Sequence, residues 1–393
     1  MNQRFYSLDV FRGATIALMI LVNNPGSWSH IYDPLEHAPW HGLTPTDLVF
    51  PFFLFAVGNA LAFVMPKLEA AGDFAFWKKI IKRTLLIFMI GIFLNWNPFF
   101  MWQNDQLVVK GWTWINSKGD LSGIRIFGVL QRIALCYFFA AVIIYYFKLI
   151  KAFFIGLLLL LIYWGLCVVL GTPGDPFSIT GWFGTSVDSS ILGVAHMYKG
   201  EGVPFDPEGI MSTIPSIVQV IFGYLIGDYI LKKGKTEEMV NGLFIAAVAF
   251  LLAGYAWSQV FPINKKIWTS SYTVVTTGLA ILTIATMIYF IEFKKYSGMI
   301  SRFFDVFGKN SLFVFALSGF LPRVLGLIRI ENGLNDNGMP KYINPFGWFY
   351  ENICKPIQGR PENGSLFYAI IMILFYWGIC YYLDKKKIYI KVG

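Results

Sequence analysis

The chain has 393 residues, of which 56% are hydrophobic, 18% aromatic and only 14% charged. That balance excludes an ordinary soluble domain and points to a helical protein that crosses a membrane several times. The net charge of +9 does not argue for nucleic acid as a partner, because Lys and Arg are scattered between apolar runs rather than gathered on one face.

A spanning helix needs about 20 mainly apolar residues. About ten such runs follow one another, near 10–28, 46–66, 83–100, 124–147, 152–171, 211–231, 240–261, 269–292, 303–328 and 365–383. The expectation is an all-α polytopic integral membrane protein with about ten transmembrane helices in a single domain, 1–393. Arg4 and Arg12 flank the start of the first run in the manner of a signal peptide. No small-residue cleavage site closes it, and Asn23-Asn24-Pro25 follows, so it reads as a retained span.

Alternate connectors are basic: Lys67, Lys78, Lys79, Lys82 and Arg83; Lys148 and Lys151; Lys232, Lys233 and Lys235; Lys294, Lys295 and Arg302; and the tail with Lys385, Lys386, Lys387 and Lys391. The positive-inside rule makes that side cytoplasmic and puts both termini there. The opposite connectors, 29–45, 101–123, 172–210, 262–268 and 329–364, are richer in Trp, Pro and Gly, and all four histidines lie on or near that outer face.

Three of those histidines, His30, His37 and His41, crowd the stretch 23–58 between the first two runs, with Asn23 closing one run and Asp47 opening the next. A single loop histidine is most often a solvated surface residue, but these neighbours point to an outer reaction zone. Arg132, with Gln131 beside it and Arg125 earlier, sits in an apolar span, where a charge needs a reason: a structural bond to a neighbouring helix, or an anion held in a protein-lined cavity. Asp9 and Arg12 at the mouth of the first helix read equally as a local ion pair. Asp206 and Glu208 precede a span, where helix capping is the plain reading. Asn264, Lys265 and Lys266 place basic residues against the topological trend, which suggests a ligand contact or a salt bridge with Asp206 or Glu208. Three of the four cysteines lie inside apolar runs and make neither a metal pattern nor a disulfide framework.

The elements SLDVFRG (7–13), Asn23, HAPWHGLTPTDLVFPFFLFAVG (37–58), GVLQRIAL (128–135), FDPEGIMSTI (205–214) and PINKKIWTSSY (262–272) together resemble the heparan-alpha-glucosaminide N-acetyltransferase family of transmembrane acyltransferases, and within it the short bacterial members. They run in family order over nearly the whole chain. The lysosomal member has an extra lumenal domain and a preceding span without counterparts in these residues, which fits a bacterial inner membrane with the active-site loop facing the periplasm. The resemblance implies acetyl transfer from cytoplasmic acetyl-CoA to the amine of a glucosamine-type sugar, and a homodimer; the cysteine pattern leads to the expectation of no metal. It matches the family's essential histidine to His37 and its asparagine to Asn23, and carries no role onto His41.

The chemistry supports that expectation independently. A sugar ammonium must lose a proton to attack a thioester, and an imidazole with an ordinary pKa near about 6.5 can take it. His37 is the candidate base, Asp47 would fix its tautomer, and Asn23 would donate to the thioester oxygen. Direct transfer and an acetyl-histidine intermediate both remain open. Arg12, Arg132, Gln131 and Lys265 are the candidates for holding acetyl-CoA; Asp206, Glu208, His196 and Trp40 are the candidates for the acceptor. A transporter of an amino sugar or lipid-linked precursor, and a polysaccharide O-acyltransferase, are the competing readings.

Overall fold

The computed structural model describes residues 5–103, 105–116, 119–334, 338 and 340–390; Arg4 and Lys391 lie outside them. The described chain forms α1 (Tyr6–Asn23), α2 (Val49–Ala71), α3 (Asp73–Trp96), α4 (Val129–Leu170), α5 (Gly184–Leu192), α6 (Ile210–Lys233), α7 (Glu237–Ser258), α8 (Ser270–Ile288), α9 (Met299–Lys309), α10 (Ser311–Leu325), α11 (Pro345–Phe349) and α12 (Pro361–Lys385). Three antiparallel hairpins were not anticipated from the sequence: β1 (Phe100–Gln103) with β2 (Gln106–Val109), β3 (Thr113–Ile115) with β4 (Leu121–Gly123), and β5 (Ile330–Leu334) with β6 (Pro340–Ile343). All lie in connectors, so the fold remains that of an all-α membrane protein.

Local chemistry sets the element ends. Pro25 disfavours helix at Asn24, and α1 stops there with Asn24 at φ −129°. Ahead of α2, Thr44 and Asp47 form a reciprocal capping box with Pro45 in the first turn. Gly72 at φ 82° ends α2, and Gly234 at φ 65° ends α6. The runs expected at 124–147 and 152–171 are joined in α4, whose 42 residues are broken at Lys148 (φ 59°). A straight helix of that length would be about 63 Å long, twice a bilayer core of about 30 Å, so the break divides it into two lengths that each suit a membrane.

Among the described residues seven helices are long and apolar enough to cross a membrane, or eight if α9 and α10, bent by 76° at Asn310, count as one span. α4 enters that set once, and α3 stays out of it because Lys78, Lys79, Lys82 and Arg83 stand in its first half. The tail explains the bend: Asn310 Nδ2 donates to the Ile388 carbonyl at 3.2 Å and its Oδ1 accepts from the Ile390 N–H at 2.8 Å.

The connectors fall into two contacting groups. Glu292 accepts from the Ser7 N–H at 3.1 Å and from Lys235 at 2.6 Å, Lys148 reaches Glu69 at 3.1 Å, and Lys309 reaches Asp384. At the other end Lys265 reaches His37, Arg125 pairs with Asp206 and Glu208, and Trp40 donates to the Phe177 carbonyl.

Small residues let the helix backbones meet closely. A Cβ on Gly58 of α2 would lie 2.0 Å from the Val220 carbonyl of α6, and one on Gly223 of α6 would lie 2.2 Å from the Phe55 carbonyl. Asn59 between them donates to the Gly223 carbonyl at 3.0 Å. α1 meets α9 the same way through Gly13 and Gly308. Because backbone rather than a movable side chain stands opposite Gly58, Gly58→Leu has no room to repack. Overpacking of this kind costs about 1–3 kcal/mol or more, so Gly58→Leu is expected to lower the melting temperature of the purified protein, with Gly319→Leu, whose Cβ would meet nothing within 4 Å, close to the parent.

Candidate functional site

The loop between α1 and α2 is built around one carboxylate. Asp47, 1% exposed, accepts from His37 Nδ1 at 2.7 Å through Oδ1, and from the Ala38 N–H, the Thr44 N–H and the Thr44 hydroxyl, each at 3.1 Å, through Oδ2. Tyr272 on α8 donates to the Asp47 backbone carbonyl at 2.6 Å and fixes this loop to the bundle. A carboxylate only accepts, so the proton on the His37 ring sits on Nδ1 and Nε2 keeps its lone pair.

Lys265 completes the group. Its Nζ lies 3.0 Å from His37 Nδ1, 3.2 Å from Nε2 and 3.6 Å from Asp47. Loss of water around the ammonium lowers its proton affinity from the ordinary lysine value, and the attraction of Asp47 and Glu208 only partly offsets this. The neighbouring Lys266 turns away, to Glu201 and the Pro39 carbonyl at 2.9 Å. Neither lysine pairs with Asp206 or Glu208.

Those two carboxylates are held by Arg125 instead. Its Nε donates to Asp206 at 3.0 Å, and Nη2 contacts both Asp206 and Glu208. Burial works against the charge on Glu208, but Arg125 and Arg132 overcome it and hold the carboxyl below its ordinary value. Asp188, unremarked in the sequence, accepts the Ile210 N–H at 2.8 Å at the start of α6, and burial pushes its carboxyl up to about 7.

Three cavities abut in series. The outermost, about 390 Å³, is lined by Asn23, Asn95, Arg125, Gln131 and Arg323 among others. The next, about 170 Å³, is lined by Asn23, His37, Glu208, Lys265, Phe53 and Ile133. The third, about 110 Å³, shares Phe53 and Ile133 with it and adds Arg12, Arg83, Tyr137 and Ser311.

His37, Asp47, Asn23, Lys265 and Glu208 are thus brought together. Asp206 stands behind Glu208, fully buried, and orients Arg125. Gln131 lines the outer cavity and Arg12 the inner one, where Arg12 also donates to Asp9 at 3.0 Å. Arg132 borders none of the three: its Nη2 reaches the Ser212 hydroxyl and the Gly209 carbonyl, and its guanidinium lies 5.2 Å from the Trp268 ring centre. His196 Nδ1 donates to the Ile124 carbonyl at 2.7 Å, and its ring lies 5.1 Å from that of Trp112, which ties it to the β3–β4 hairpin. Trp40 packs on Phe205 in the outer aromatic cluster. His30 meets Ser27 at 3.3 Å and His41 meets Asn264 at 3.3 Å.

Arg83, Asn95 and Arg323 were missed as cavity residues. Arg83 reads as a topology charge from sequence. Arg323 lies within an apolar run just as Arg132 does, and the same test applied to it would have found it.

The arrangement defines a membrane protein whose buried polar chambers meet at a histidine–carboxylate pair. Over 445 aligned residues, 99% of this chain and 60% of the relative, it is 27% identical to human heparan-alpha-glucosaminide N-acetyltransferase, and 25% identical to the mouse protein over the same span. These matches support its membership of the heparan-alpha-glucosaminide N-acetyltransferase family. The chain spans about 60% of the length of the curated relatives it matches. No family profile matches it.

Arg125→Gln leaves Asp206 and Glu208 buried without their cation, a change that typically costs about 3–5 kcal/mol. The double variant Arg125→Gln with Glu208→Gln is expected to recover part of that loss in thermal denaturation. A Glu208→Gln effect of the same size in the parent and in Arg125→Gln would show that the two groups are not coupled.

Proposed function

We propose that this chain is a transmembrane acetyltransferase that moves an acetyl group from acetyl-CoA to the amine of a glucosamine-type sugar. The observation that carries the reading is the series of cavities itself: His37 and its carboxylate stand between a narrow recess with two arginines and a roomier polar chamber. The names of the human and mouse relatives support the reaction class.

The recess fits the donor. Arg12 and Arg83 would hold phosphates, and the passage past Phe53 and Ile133 suits a thin pantetheine arm reaching towards His37. Arg83 thereby takes the place beside Arg12 that the sequence reading gave to Arg132. In the cavity it shares with His37, Glu208 would attract the sugar ammonium. The ammonium first gives up one proton to water. His37 Nε2 takes a second as the resulting neutral amine attacks the thioester carbon; the new C–N bond forms, the C–S bond breaks, and the imidazolium returns its proton to the departing thiolate. Lys265, donating to Nε2 at rest, has to give way to the substrate at this point. Asn23, common to both outer cavities, would donate to the carbonyl oxygen as its charge grows. Transfer is direct in this scheme, since one base suffices.

The same reading takes α1, α2, α3, the two parts of α4, α6, α7, α8, the bent pair α9–α10 and α12 as ten crossings, with both termini cytoplasmic in a bacterial inner membrane and His37 facing the periplasm. The basic connectors support that orientation.

His37→Ala is expected to reduce acetyl transfer to glucosamine at least about 100-fold with the protein still folded, since a general base typically contributes about 10²–10⁴-fold. His30→Ala and His41→Ala should keep most activity. A His37→Ala enzyme with more than about a tenth of the parent turnover is incompatible with the base assignment. For the topology, a cysteine at Lys235 should react with an impermeant maleimide only from the cytoplasmic side and one at Gly200 only from outside; reaction of both from one side overturns the ten-crossing arrangement.

A further inference from the structure

The outermost cavity continues into something apolar. Leu94 of α3 lines that cavity and also a groove of about 360 Å³ between α3 and α10. Every side chain lining the groove is apolar, Ile90, Phe93, Leu312, Ala316, Leu317 and Phe320 among them. Along α10 the wall from Leu312 to Phe320 runs about 12 Å at about 1.5 Å per residue, room for a hydrocarbon chain of some length. Val314 is the one fully buried residue of α10, and apart from exposed Arg323 the rest of the helix is half-buried.

Arg323 stands at the junction of groove and cavity. It lies one turn beyond Phe320 on α10, lines the polar cavity, and donates through Nη1 to the Leu94 carbonyl. Arg125 is matched by two carboxylates, whereas among the described residues no ion pair balances Arg323. The charges that act on it or feel it most are themselves cationic, Arg125 and Lys110. Arg323 is exposed, and its guanidinium, open between an apolar slot and a polar chamber with no carboxylate on it, suits a phosphate, whose oxygens its planar fork can take in pairs. A soluble sugar would use the chamber and leave both the groove and this charge without a role.

We propose that the acceptor is membrane-borne: an amino sugar joined through a phosphate to a hydrocarbon chain, with the chain in the α3–α10 groove, the phosphate on Arg323, and the sugar passing Asn23 to present its amine to His37. This rests on the acetyl-transfer reading for its last step. The chain and phosphate contacts stand apart from that reading, and this makes the two separable by experiment.

The test uses the full-length protein in nanodiscs and three synthetic acceptors: methyl glucosaminyl phosphate, decyl glucosaminyl phosphate, and decyl glucosaminide without the phosphate. The decyl phosphate is expected to show a KM at least about tenfold below that of either other compound, the equivalent of about 1.4 kcal/mol. Ala316→Trp, which fills the groove, should collapse the ratio between the decyl and methyl phosphates towards one. Arg323→Gln should collapse the ratio between the decyl phosphate and decyl glucosaminide, and Arg323→Lys, which keeps the charge, should preserve part of it. Equal KM values for the decyl and methyl phosphates overturn the proposal. So does a decyl advantage that survives Ala316→Trp, which marks partition into the bilayer alone. If none of the three is acetylated, the acetyl-transfer reading fails; calorimetric Kd values without acetyl-CoA then decide the groove, which stands if binding depends on chain, phosphate and Arg323 and falls if the three compounds bind alike.

Discussion

The carboxylate of Asp47 is the constraint on which the His37 end of this molecule depends. A charge with almost no exposure at the mouth of a membrane helix is tolerable only if its lone pairs are filled, and here one ring nitrogen, two backbone amides and a hydroxyl fill them. Each of those bonds also does something for the chain. The Thr44 bonds begin α2, the Ala38 bond folds the loop back over the helix end, and the His37 bond fixes which ring nitrogen keeps a lone pair. Helix capping and tautomer selection are therefore one interaction, and an isosteric change at Asp47 would disturb both together.

The bundle supports this loop from two directions. Tyr272 brings α8 to the Asp47 carbonyl, and the sharp approach of α2 to α6 at Gly58 and Gly223 sets where α6 begins. The residues just ahead of α6 are Asp206 and Glu208, so the glycine contact in the middle of α2 and α6 helps place the carboxylates at the α6 start. Arg125 then joins the lead-in of α6 to that of α4. Arg125 is balanced by two carboxylates within this frame, whereas buried Arg132 and exposed Arg323 both rest on neutral partners.

Much of this was legible in the sequence, and the parts that were not have identifiable reasons. The helical runs follow from apolar length, and the His37–Asp47 relation follows from a loop that must return a histidine to a helix start. The break at Lys148 and the bend at Asn310 were less accessible. One is a backbone conformation inside a run whose composition is uniform, and the other depends on tail residues almost eighty positions away. The hairpins escaped because short strands of three to five residues, such as β3 and β5, carry little periodic signal. Lys265 and Lys266 are chemically identical neighbours, and only the turn at Trp268, with φ 51°, and the start of α8 decide that the first reaches His37 and the second Glu201.

Arg132 shows most clearly what a sequence argument lacks. An arginine in an apolar span asks for an anion, and counting it among the residues that hold acetyl-CoA was consistent with that demand. In the fold its charge is spread over a carbonyl, a hydroxyl and the faces of Trp268 and Phe50, partners that are neutral and therefore invisible to a search for opposite charge. Those partners come from α6, α2 and the turn before α8, so the guanidinium joins the elements that surround it. Arg83 meanwhile faces the same recess as Arg12 from α3, although its sequence context is an ordinary basic connector. Whether a buried cation serves a ligand or the scaffold is decided by which neutral groups the neighbouring helices present to it, and that is a property of helix packing rather than of the residue or its span.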